Sequence, residues 1–546
     1  MSSIEQSLAE VRAVLGEIAD GTTDASTRDR LRDVVSRIGS AAELTAHFAP
    51  RRSRDFQFTR LSASQRANTF GGMTAAERAR AVVNLRKRVV RSNFVTSMDC
   101  KPAPPPPPPA AAATEAIAIV DALSTGACIA ADAQARGYAI VHVVSFEPSP
   151  EVANMVPAHL KGALRWHAEL FADEAKPLEG EAERLARALA ALPLRLAAVV
   201  AGAETGVKLA DHLSEACGVR TNGASGSEAR RNKWDMGEKV RAAGVRAVMQ
   251  LQAESWAPVA AFLDEWTPSP FEVIVKPVES AGSDGVTLCG SRDATRAAVD
   301  GLVGKVNGLG VVNTGVLVQE FLKGVEYVVD GVSRDGEHKV VALWRYDRRP
   351  TNGAGFVLHG QVLIDDAAPE APTLIGYAGK VLDALEFAHG PSHMEIKLNP
   401  SSGPCLVEVG ARCHGAEGFW CAVADEGVGY NQATVALEAY VDAPAFAAHP
   451  PTPVAPLRAA GRIKFLLFHR GGALARVSPA ALAEICAMAS YRGHEIFVKD
   501  GSTVAPTIDC FTWGGAVKMA NPSEAAMQAD YARIEALCLD GLWEFT

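Results

Sequence analysis

The chain has 546 residues, 48% of them hydrophobic, and a formal net charge of -9. A chain of this size and composition can bury several cores, so we expect a multidomain globular protein and not a disordered polymer. The acidic balance argues against a general nucleic-acid binder. Ten cysteines without paired short spacings indicate reduced thiols and not a disulfide framework or a zinc ribbon. No segment has the pattern of a signal peptide or a membrane span, which predicts a cytoplasmic protein.

Residues 1–100 are predicted to form a helical, locally basic region. Apolar residues recur at helical spacing from Ile4 to Ile18, and arginines and lysines are frequent between Arg51 and Arg91. The basic stretch is interpreted as a solvated face or a site for an acidic partner. Residues 101–114 are rich in proline, which supplies neither helix nor central strand, so they are predicted to be an extended linker. Docking of a proline-reading domain is the alternative for this stretch.

Residues 115–222 are predicted to form an α/β domain with a largely parallel sheet. AIAIVDALSTGACIAADAQARGYAIVHVVSF has the order strand, glycine turn, helix and strand, and LAAVVAGAETGVKLADHLSEACGV begins the same alternation again. Neither glycine turn is a complete GxGxxG motif, so a nicotinamide-binding site has weak support.

A phosphate-binding loop is predicted within FEVIVKPVESAGSDGVTLCG. Lys276 ends an apolar strand there, and the loop that follows contains Gly282, Ser283 and Gly285. Small residues let backbone amides approach phosphate oxygens, and the lysine adds a positive charge. The order of residues is not that of a Walker loop, and an ordinary hairpin is the alternative.

Two facing carboxylates are predicted within HMEIKLNPSSGPCLVEVGAR, residues 393–412. Two alternating apolar runs flank an Asn-Pro-Ser-Ser-Gly turn, which is typical of a β-hairpin. In the simplest antiparallel register this hairpin places Glu395 opposite Glu408. Their β-carbons would lie roughly 4.5–5.5 Å apart, where like charges repel unless a cation bridges them. A hard divalent ion such as Mg²⁺ suits this oxygen donor pair. The alternative is that one glutamate faces solvent beside Lys397.

From about Ala116 to the C-terminus the sequence resembles the ATP-grasp superfamily, specifically its carboxylate-amine ligases of the L-amino acid ligase type. The resemblance lies in AGAETGVKLADHL with TNGASGSEARRNKWDMGEKVRAAGV, in the loop after Lys276, in GVLVQEFLKGVEYVVDGV and in the carboxylate hairpin. It implies an α/β, ATP-grasp fold. A pre-ATP-grasp domain (residues 115–222) would precede the ATP-grasp domain (223–546), which divides into a central subdomain (about 235–318) and a C-terminal subdomain (about 319–546).

The resemblance also implies the site residues. Lys233 and Lys276 match two ATP-contacting lysines, Ser280 to Val286 match a phosphate cover, and Gln319 to Leu322 match the hinge that receives adenine. Glu326 matches a ribose contact. The nucleotide-binding candidates are therefore Lys233, Lys276, Ser280, Gly282, Ser283, Gly285, Gln319, Glu320, Phe321, Leu322 and Glu326. Glu395 and Glu408 match the Mg²⁺ ligands, with Mn²⁺ as an alternative ion.

Arg412 matches the cation that holds the substrate carboxylate or acyl phosphate, which makes Arg412 and Lys276 the catalytic candidates. The sequence departs from the pattern at Gly410, where many ATP-grasp enzymes carry an asparagine metal ligand. Some amino-acid ligases also have a small residue there, so the number of metal ions stays open.

The implied function is ATP-dependent formation of a peptide or amide bond through an acyl phosphate, with an amino acid substrate and release of ADP and phosphate. The alternatives are a ligase for a non-amino-acid carboxylate in specialised metabolism and a non-catalytic nucleotide-binding regulator. The expected partners are a small-molecule carboxylate and an amine, with no nucleic acid and no membrane. A homo-oligomer and a protein partner for the N-terminal segment stay open.

Three further features allow two interpretations each. His393 is interpreted as a hydrogen-bonded structural residue or a proton-transfer group, because alternation puts it on the same strand face as Glu395. Cys405, Cys413 and Cys421 are equally spaced, and buried thiols are favoured over metal ligands. The glycine-rich stretch from Arg349 to Gly360 is interpreted as a mobile cover of the site or an ordinary connection.

Overall fold

The computed structural model describes residues 114–147, 155–279, 285–307 and 312–546. The predicted helical region 1–100 and the proline-rich stretch as far as residue 113 lie outside these ranges. So do Ser280, Gly282 and Ser283 of the predicted phosphate loop. The fold described below therefore concerns the part of the chain that follows the proline-rich stretch.

The first sheet has four parallel strands in the order β3-β2-β1-β4. The elements of this domain are β1 (Glu115–Val120), α1 (Thr125–Ala135), β2 (Ala139–Val144), β3 (Ala168–Phe171), α2 (Leu178–Ala190), β4 (Arg195–Ala201) and α3 (Val207–Ala216). Residues 116–120 of β1 are all buried, which is typical of a parallel strand covered by helices on both faces. The predicted order of strand, helix and strand is confirmed for β1, α1 and β2, and again for β4 and α3.

A second, antiparallel sheet has the order β5-β8-β6-β7. Its elements are α4 (Lys233–Ala242), β5 (Gln250–Ala253), α5 (Trp256–Trp266), β6 (Val273–Pro277), β7 (Thr287–Cys289), α6 (Arg292–Leu302) and β8 (Val316–Glu320). The side chain of Asn232 caps α4 by accepting hydrogen bonds from the backbone N–H groups of Trp234 and Asp235. This cap fixes the start of the helix, and Lys233 is its first residue.

The largest sheet has eight strands in the order β13-β12-β9-β10-β11-β14-β18-β16, and every neighbouring pair is antiparallel. Its strands are β9 (Val325–Arg334), β10 (Glu337–Thr351), β11 (Ala354–Ile364), β12 (Gly390–Asn399), β13 (Gly403–Gly410), β14 (Ala460–Leu466), β16 (Tyr491–Ile496) and β18 (Gly515–Asn521). The first half of this order places β9, β10, β12 and β13 side by side, and these strands carry most of the site described below.

The remaining elements of the C-terminal half cover this sheet. They are α7 (Ala371–Ala384), α8 (Phe419–Gly427), α9 (Gln432–Val441), α10 (Ala443–Ala448), β15 (Gly472–Val477), α11 (Pro479–Ala487), β17 (Thr503–Val504), α12 (Glu524–Leu539) and β19 (Trp543–Phe545). Strands β17, β15 and β19 form a small separate sheet. Within the described ranges, none of the helices is both long enough and apolar enough to cross a membrane.

The hairpin of β12 and β13 contains a β-bulge. Close to the turn the pairing is regular, and Ile396 lies opposite Leu406. The register then shifts by one residue, so that Glu395 pairs with Glu408 and Val407 is the extra residue. The predicted opposition of the two glutamates is therefore confirmed. It is reached through the bulge, because regular pairing from the turn would have placed Val407 opposite Glu395.

The stretch from Arg349 to Gly360 forms the tip of the hairpin between β10 and β11. Asn352 and Gly353 make its turn with φ values of 53° and 83°. The Asn352 amide donates hydrogen bonds to the carbonyl oxygens of Phe468, at 2.9 Å, and Thr507, at 2.8 Å. The stretch is thus paired and anchored, which favours the interpretation as an ordinary connection over that of a mobile cover.

Candidate active site

Glu395 and Glu408 are each held by a donor group as well as facing each other. The Lys233 ammonium lies 3.0 Å from a carboxylate oxygen of Glu408. The Tyr346 hydroxyl donates a hydrogen bond of 3.1 Å to Glu395. Burial of Glu395 opposes its ionisation, but the neighbouring His393 imidazole and the charge of Arg348 hold its pKa well below the usual range. Glu395 is therefore ionised, and with Glu408 it offers the oxygen ligands that a hard cation prefers.

Lys276 lies at the same site, near the end of β6, with only 7% of its surface exposed. Burial and the charge of Lys233 lower the pKa of its ammonium to about 8, against the opposing charges of Glu408, Glu395 and Glu326. Two lysines and three glutamates thus act on one another electrostatically. At neutral pH Lys276 still carries its positive charge beside the carboxylate pair.

Two small adjoining cavities meet at Lys233 and Met236, which line both. The first cavity is also lined by Glu204, Arg231, Glu408, Val409, Gly410 and Arg412. The second is also lined by Gly237, Ala247, Val248, Gln319, Leu406 and Val407. One cavity is thus strongly charged and the other is mainly apolar, and the Lys233 ammonium stands at the boundary between them.

Arg412 is paired with Glu204, which belongs to a short 3₁₀ turn (Glu204–Gly206) after β4. The Nε atom of Arg412 lies 2.8 Å from Glu204 Oε2, and Arg231 Nε lies 3.6 Å from Oε1. Burial opposes the ionisation of Glu204, but the charges of Arg412 and Arg231 outweigh it and lower its pKa. A carboxylate from the first domain is therefore held ionised beside the predicted substrate-binding arginine.

The Glu204–Arg412 pair also explains Gly410. A Cβ atom at Gly410 would lie 2.7 Å from Glu204 Oε2 and 2.9 Å from Arg412 Cζ, closer than such atoms can approach. An asparagine at this position would have to displace both groups from their present positions. Sequence reasoning missed Glu204, because it lies in the first domain and only folding brings it to the hairpin.

The side chains of the predicted adenine hinge are engaged within the second sheet. Gln319 is buried, and its amide donates a 2.7 Å hydrogen bond to Gln250. The carboxylate of Glu320 accepts a 2.9 Å hydrogen bond from the backbone N–H of Met249. Both side chains hold β5 against β8. A contact with adenine would therefore fall to the backbone of the hinge, which runs as far as Leu322.

Glu326 is enclosed by two cations. Arg348 Nε lies 2.7 Å from one of its oxygens, and Lys397 Nζ lies 2.8 Å from the other. A ribose contact, as the sequence predicts, would have to share a carboxylate that is already paired. Arg348 also donates a hydrogen bond to the carbonyl of Phe356, whose ring lies 5.7 Å from that of Phe321 in the hinge. This network connects the hinge to β10 and β11.

The described part of the predicted phosphate loop resumes at Gly285. This residue has a φ of 69°, and a Cβ atom there would lie 2.9 Å from Leu302 and 3.1 Å from Pro277. Glycine is thus required both by the backbone conformation and by the close approach of neighbouring side chains. At the other end of the loop, Lys208 Nζ lies 3.2 Å from the carboxylate of Glu279.

His393 lies 2.9 Å from Asp330 through its Nδ1 atom and belongs to a buried hydrogen-bond network, in agreement with its structural interpretation. Within the described ranges, the group of side chains with metal-ligand spacing is Asp330, His393 and His414, and it contains none of the three equally spaced cysteines. Burial raises the pKa of the Cys405 thiol to about 11, as expected of an inert buried thiol.

Comparison with known proteins identifies the family. The sequence profile of the ATP-grasp domain matches residues 269–420. Over 320 residues the chain is 32% identical to dapdiamide A synthase of Enterobacter agglomerans. The aligned region covers 58% of this chain and 71% of that protein. The ATP-grasp match at residues 269–420 includes both strands of the carboxylate hairpin.

Solved structures share the fold. The L-amino acid ligase from Bacillus licheniformis superposes with a TM-score of 0.61 at 17% identity, over 79% of this chain and 99% of that one. The biotin carboxylase domain of Hydrogenobacter thermophilus 2-oxoglutarate carboxylase, solved with MgADP, superposes with a TM-score of 0.51 at 13% identity, over 79% and 90%. The predicted ATP-grasp fold is thereby confirmed. The chain belongs to the ATP-grasp family and is an ATP-dependent ligase of the carboxylate-amine type.

Proposed function

We propose that this ligase activates the carboxylate of an amino acid by transfer of the γ-phosphoryl group of ATP and then joins it to an amine. The products are the amide or peptide, ADP and phosphate. The observation that carries the proposal is the meeting of Glu395, Glu408, Lys233 and Lys276 beside Arg412. The two glutamates offer ligands for a cation, the two lysines offer positive charges for phosphates, and Arg412 offers a positive charge for the substrate carboxylate.

Glu395 and Glu408 fit a divalent cation. They face each other across the bulged hairpin, and a lysine ammonium already lies 3.0 Å from Glu408. We propose that they hold Mg²⁺, with Mn²⁺ as an alternative, since hard cations favour carboxylate oxygens and phosphates. When bound, the ion would neutralise charge on the phosphates and on the transferring phosphoryl group.

Lys233 and Lys276 are proposed to bind the phosphates of ATP from two sides. Lys233 begins α4, and Lys276 comes from β6 of the second sheet. Phosphoryl transfer requires the protein chiefly to position the groups and to stabilise their charge. Fixed ammonium groups in a partly buried site meet that requirement, because their interaction with phosphate is weakly screened by water.

Arg412 is proposed to bind the substrate carboxylate. One carboxylate oxygen attacks the γ-phosphorus of ATP, the bond to ADP breaks, and an acyl phosphate forms. The amine then attacks the carbonyl carbon, phosphate leaves, and the nitrogen loses a proton. The Arg412 guanidinium would stabilise the oxyanion of the tetrahedral intermediate.

The Glu204–Arg412 pair supports an α-amino acid as the acid substrate. The two opposite charges lie 2.8 Å apart and line the same charged cavity. A zwitterionic amino acid presents the complementary pair, since its ammonium would be drawn to Glu204 and its carboxylate to Arg412. The name of one structurally similar protein, the L-amino acid ligase, supports the same substrate class.

The proposed catalytic unit comprises residues 115–222 and 223–546, with a central subdomain at about 235–318 and a C-terminal subdomain at about 319–546. Its support is that Glu204 of the first part meets Arg412 of the second. The region 1–100 and the linker 101–114 lie outside this unit.

A panel of amino acids and amines, assayed for ATP-dependent phosphate release and by mass spectrometry of the products, tests the proposal. We expect phosphate release to require both an acid and an amine, and hydroxylamine to trap the activated acid as a hydroxamate with ADP as the nucleotide product. AMP and pyrophosphate as sole products would contradict the acyl phosphate. A strict requirement for an acid without an α-amino group would contradict the substrate class.

A further inference from the structure

Asp330, on β9, is the acceptor of a buried hydrogen-bond network. None of its surface is exposed. The indole Nε1 of Trp344 donates to Asp330 Oδ2 at 2.8 Å. The Nδ1 atom of His393 lies 2.9 Å from Oδ1, and the Nδ1 atom of His414 lies 2.9 Å from Oδ2. We refer to Asp330, Trp344, His393 and His414 as the Asp330 network.

The chemistry of the partners fixes the direction of these hydrogen bonds. An indole nitrogen only donates, and an ionised carboxylate only accepts, so both Nδ1 atoms must carry hydrogen. The Nε2 atom of His414 faces the Gln361 amide nitrogen at 3.3 Å and accepts from it. His414 is then neutral, in agreement with the burial that lowers its pKa to about 4. The buried charge of Asp330 is thus stabilised by three donors.

Each histidine adjoins a proposed active-site residue. His393 lies two residues before Glu395 on β12, and its Nε2 atom is 3.8 Å from a Glu395 oxygen. His414 lies two residues after Arg412, where its backbone carbonyl accepts a 2.9 Å hydrogen bond from Trp420. The two imidazole rings are 4.1 Å apart. One carboxylate therefore holds the strand of Glu395 and the loop of Arg412 together.

We propose that Asp330 is a positioning residue of this ligase, which aligns Glu395 through His393 and Arg412 through His414. The proposal rests on the proposed function of Glu395 and Arg412. Replacing Asp330 would leave two imidazoles and an indole without their shared acceptor, so both proposed site residues would lose their orientation. Outer partners that orient metal ligands typically change metal affinity by about 10- to 100-fold when replaced.

A metal ion bound by the network itself is the competing interpretation. The ligand atoms of Asp330, His393 and His414 lie within 4.8 Å of one another, which is a spacing that a transition metal could bridge. Such an ion would require both Nδ1 atoms to lose their hydrogens. It would also share an oxygen that already accepts from Trp344. The present geometry therefore favours the hydrogen-bonded network.

The test compares four variants of the full chain: Asp330→Asn, His393→Gln, His414→Gln and Ser333→Ala. Ser333 is a matched control on the same strand, since it is equally buried and its hydroxyl bonds to His338 at 2.7 Å, away from both histidines of the network. Two readouts are used. Calorimetry with ADP and Mn²⁺ reports on the metal side, and the KM of ATP-dependent phosphate release for a mixture of the twenty protein amino acids reports on the acid side.

We expect Asp330→Asn and His393→Gln to weaken Mn²⁺-dependent ADP binding by about 10-fold or more. His414→Gln should keep that affinity within about twofold but raise the KM for the amino acid mixture by about 10-fold, and Asp330→Asn should show both defects. Ser333→Ala should show neither. A purely structural role would not separate the two readouts, and circular dichroism checks that each variant folds. If Asp330→Asn does not fold, the two histidine variants carry the comparison.

Unchanged Mn²⁺–ADP binding in folded Asp330→Asn and His393→Gln would overturn the proposal, as would equal defects of both histidine variants in both readouts. One equivalent of a transition metal in the purified protein, lost in His414→Gln, would overturn it in favour of a metal site. If the unaltered protein binds Mn²⁺ and ADP but forms no hydroxamate with any amino acid in the presence of ATP and hydroxylamine, the proposed substrate class fails. The calorimetry then decides on Asp330 by itself.

Discussion

The carboxylate of Glu204 occupies the space that a side chain at Gly410 would need. The distance of 2.7 Å between Glu204 Oε2 and a Cβ atom placed on Gly410 means that a larger residue there would have to displace the Glu204 carboxylate. A carboxylate from the first domain thus stands beside the end of the carboxylate hairpin. The site of this ligase is therefore completed by two parts of the chain that are far apart in sequence.

Gly410→Ala should impair the acid side of the site and spare the nucleotide side. The added methyl group would push Glu204 and Arg412 apart, so we expect the KM for the acid substrate to rise by roughly 10-fold, which corresponds to about 1.4 kcal/mol. Binding of ADP, measured by calorimetry, should change by less than about twofold. Gly415→Ala is the control, because a Cβ atom there meets nothing within 4 Å. Equal effects of the two substitutions would contradict the steric account.

Glu408→Gln should abolish nearly all ligation while the protein stays folded. The substitution removes one anionic metal ligand and relieves the repulsion across the hairpin. Because a bound metal contributes several kcal/mol to charge stabilisation, we expect kcat to fall by roughly 100-fold or more. Glu337→Gln, at the exposed first residue of β10, is the control. Turnover that equals that of the unaltered protein at saturating Mg²⁺, with no added Mg²⁺ requirement, would remove Glu408 from the metal site.

Lys276 should make nucleotide affinity depend on pH. Its pKa of about 8 means that the ammonium loses its charge as pH rises through that value. We therefore expect the affinity for ADP to fall by up to about 10-fold between pH 7 and 9. Lys276→Arg keeps the charge throughout this range and should flatten the profile. An equally steep profile in the arginine variant would assign the titration to another group.

The same lysine should affect stability in the opposite direction. Its pKa is lowered in the folded protein from an unfolded value of 10.5, so between about pH 8 and 10.5 the unfolded chain binds a proton that the folded chain does not. The contribution of Lys276 to stability without ligand thus rises with pH in this window. Urea unfolding of the protein and of Lys276→Met at pH 7.5 and 9.5 measures it. The stability advantage of Lys276→Met over the unaltered protein, measured as the difference in their free energies of unfolding, should be larger at pH 7.5 than at pH 9.5.

Arg412→Ala should suppress trapping of the activated acid more than nucleotide binding. The arginine pairs with Glu204 on the acid side of Lys233, so its loss leaves the proposed phosphate contacts in place. We expect hydroxamate formation to fall by about 100-fold, as for loss of one oxyanion donor, with ADP affinity within about twofold. An equal loss of hydroxamate formation and of ADP affinity would indicate that Arg412 binds the nucleotide instead.

A shortened protein that begins at Ala113 should keep ATP-dependent activity. The elements that supply the site begin with β1 at Glu115. Phosphate release and thermal unfolding, measured for the shortened and full chains, check this expectation. Loss of activity from a shortened protein with an unchanged unfolding temperature would show that the N-terminal region contributes to the site.

The sequence was sufficient to predict features that depend on neighbouring residues. The hairpin turn and the alternation around it predict the facing glutamates, and the apolar run of β6 places Lys276 at a strand end. The bulge at Val407 was not predicted, because neither the turn nor the apolar alternation indicates where a strand carries an extra residue. The predicted pair of Glu395 and Glu408 is therefore correct, but the register that produces it includes a bulge that the turn alone does not predict.

Contacts between distant segments could not be predicted in this way. Glu204 reaches Arg412 only because the first domain packs against the end of the eight-stranded sheet. Asp330 meets His414 across three strands, and its only signal in the sequence is an acidic residue inside an apolar run, EYVVDGV. A buried acid in such a run requires hydrogen-bond donors, but the sequence pattern does not indicate which donors folding brings to it.

The bulge at Val407 also changes which side chains of β13 line the site. In a regular strand, consecutive side chains point to opposite faces, so Val407 and Glu408 would serve different sides of the sheet. Here Glu408 lines the charged cavity and Val407 lines the apolar cavity, on either side of Lys233. One inserted residue thereby lets two neighbours in sequence line the two adjoining cavities that meet at Lys233.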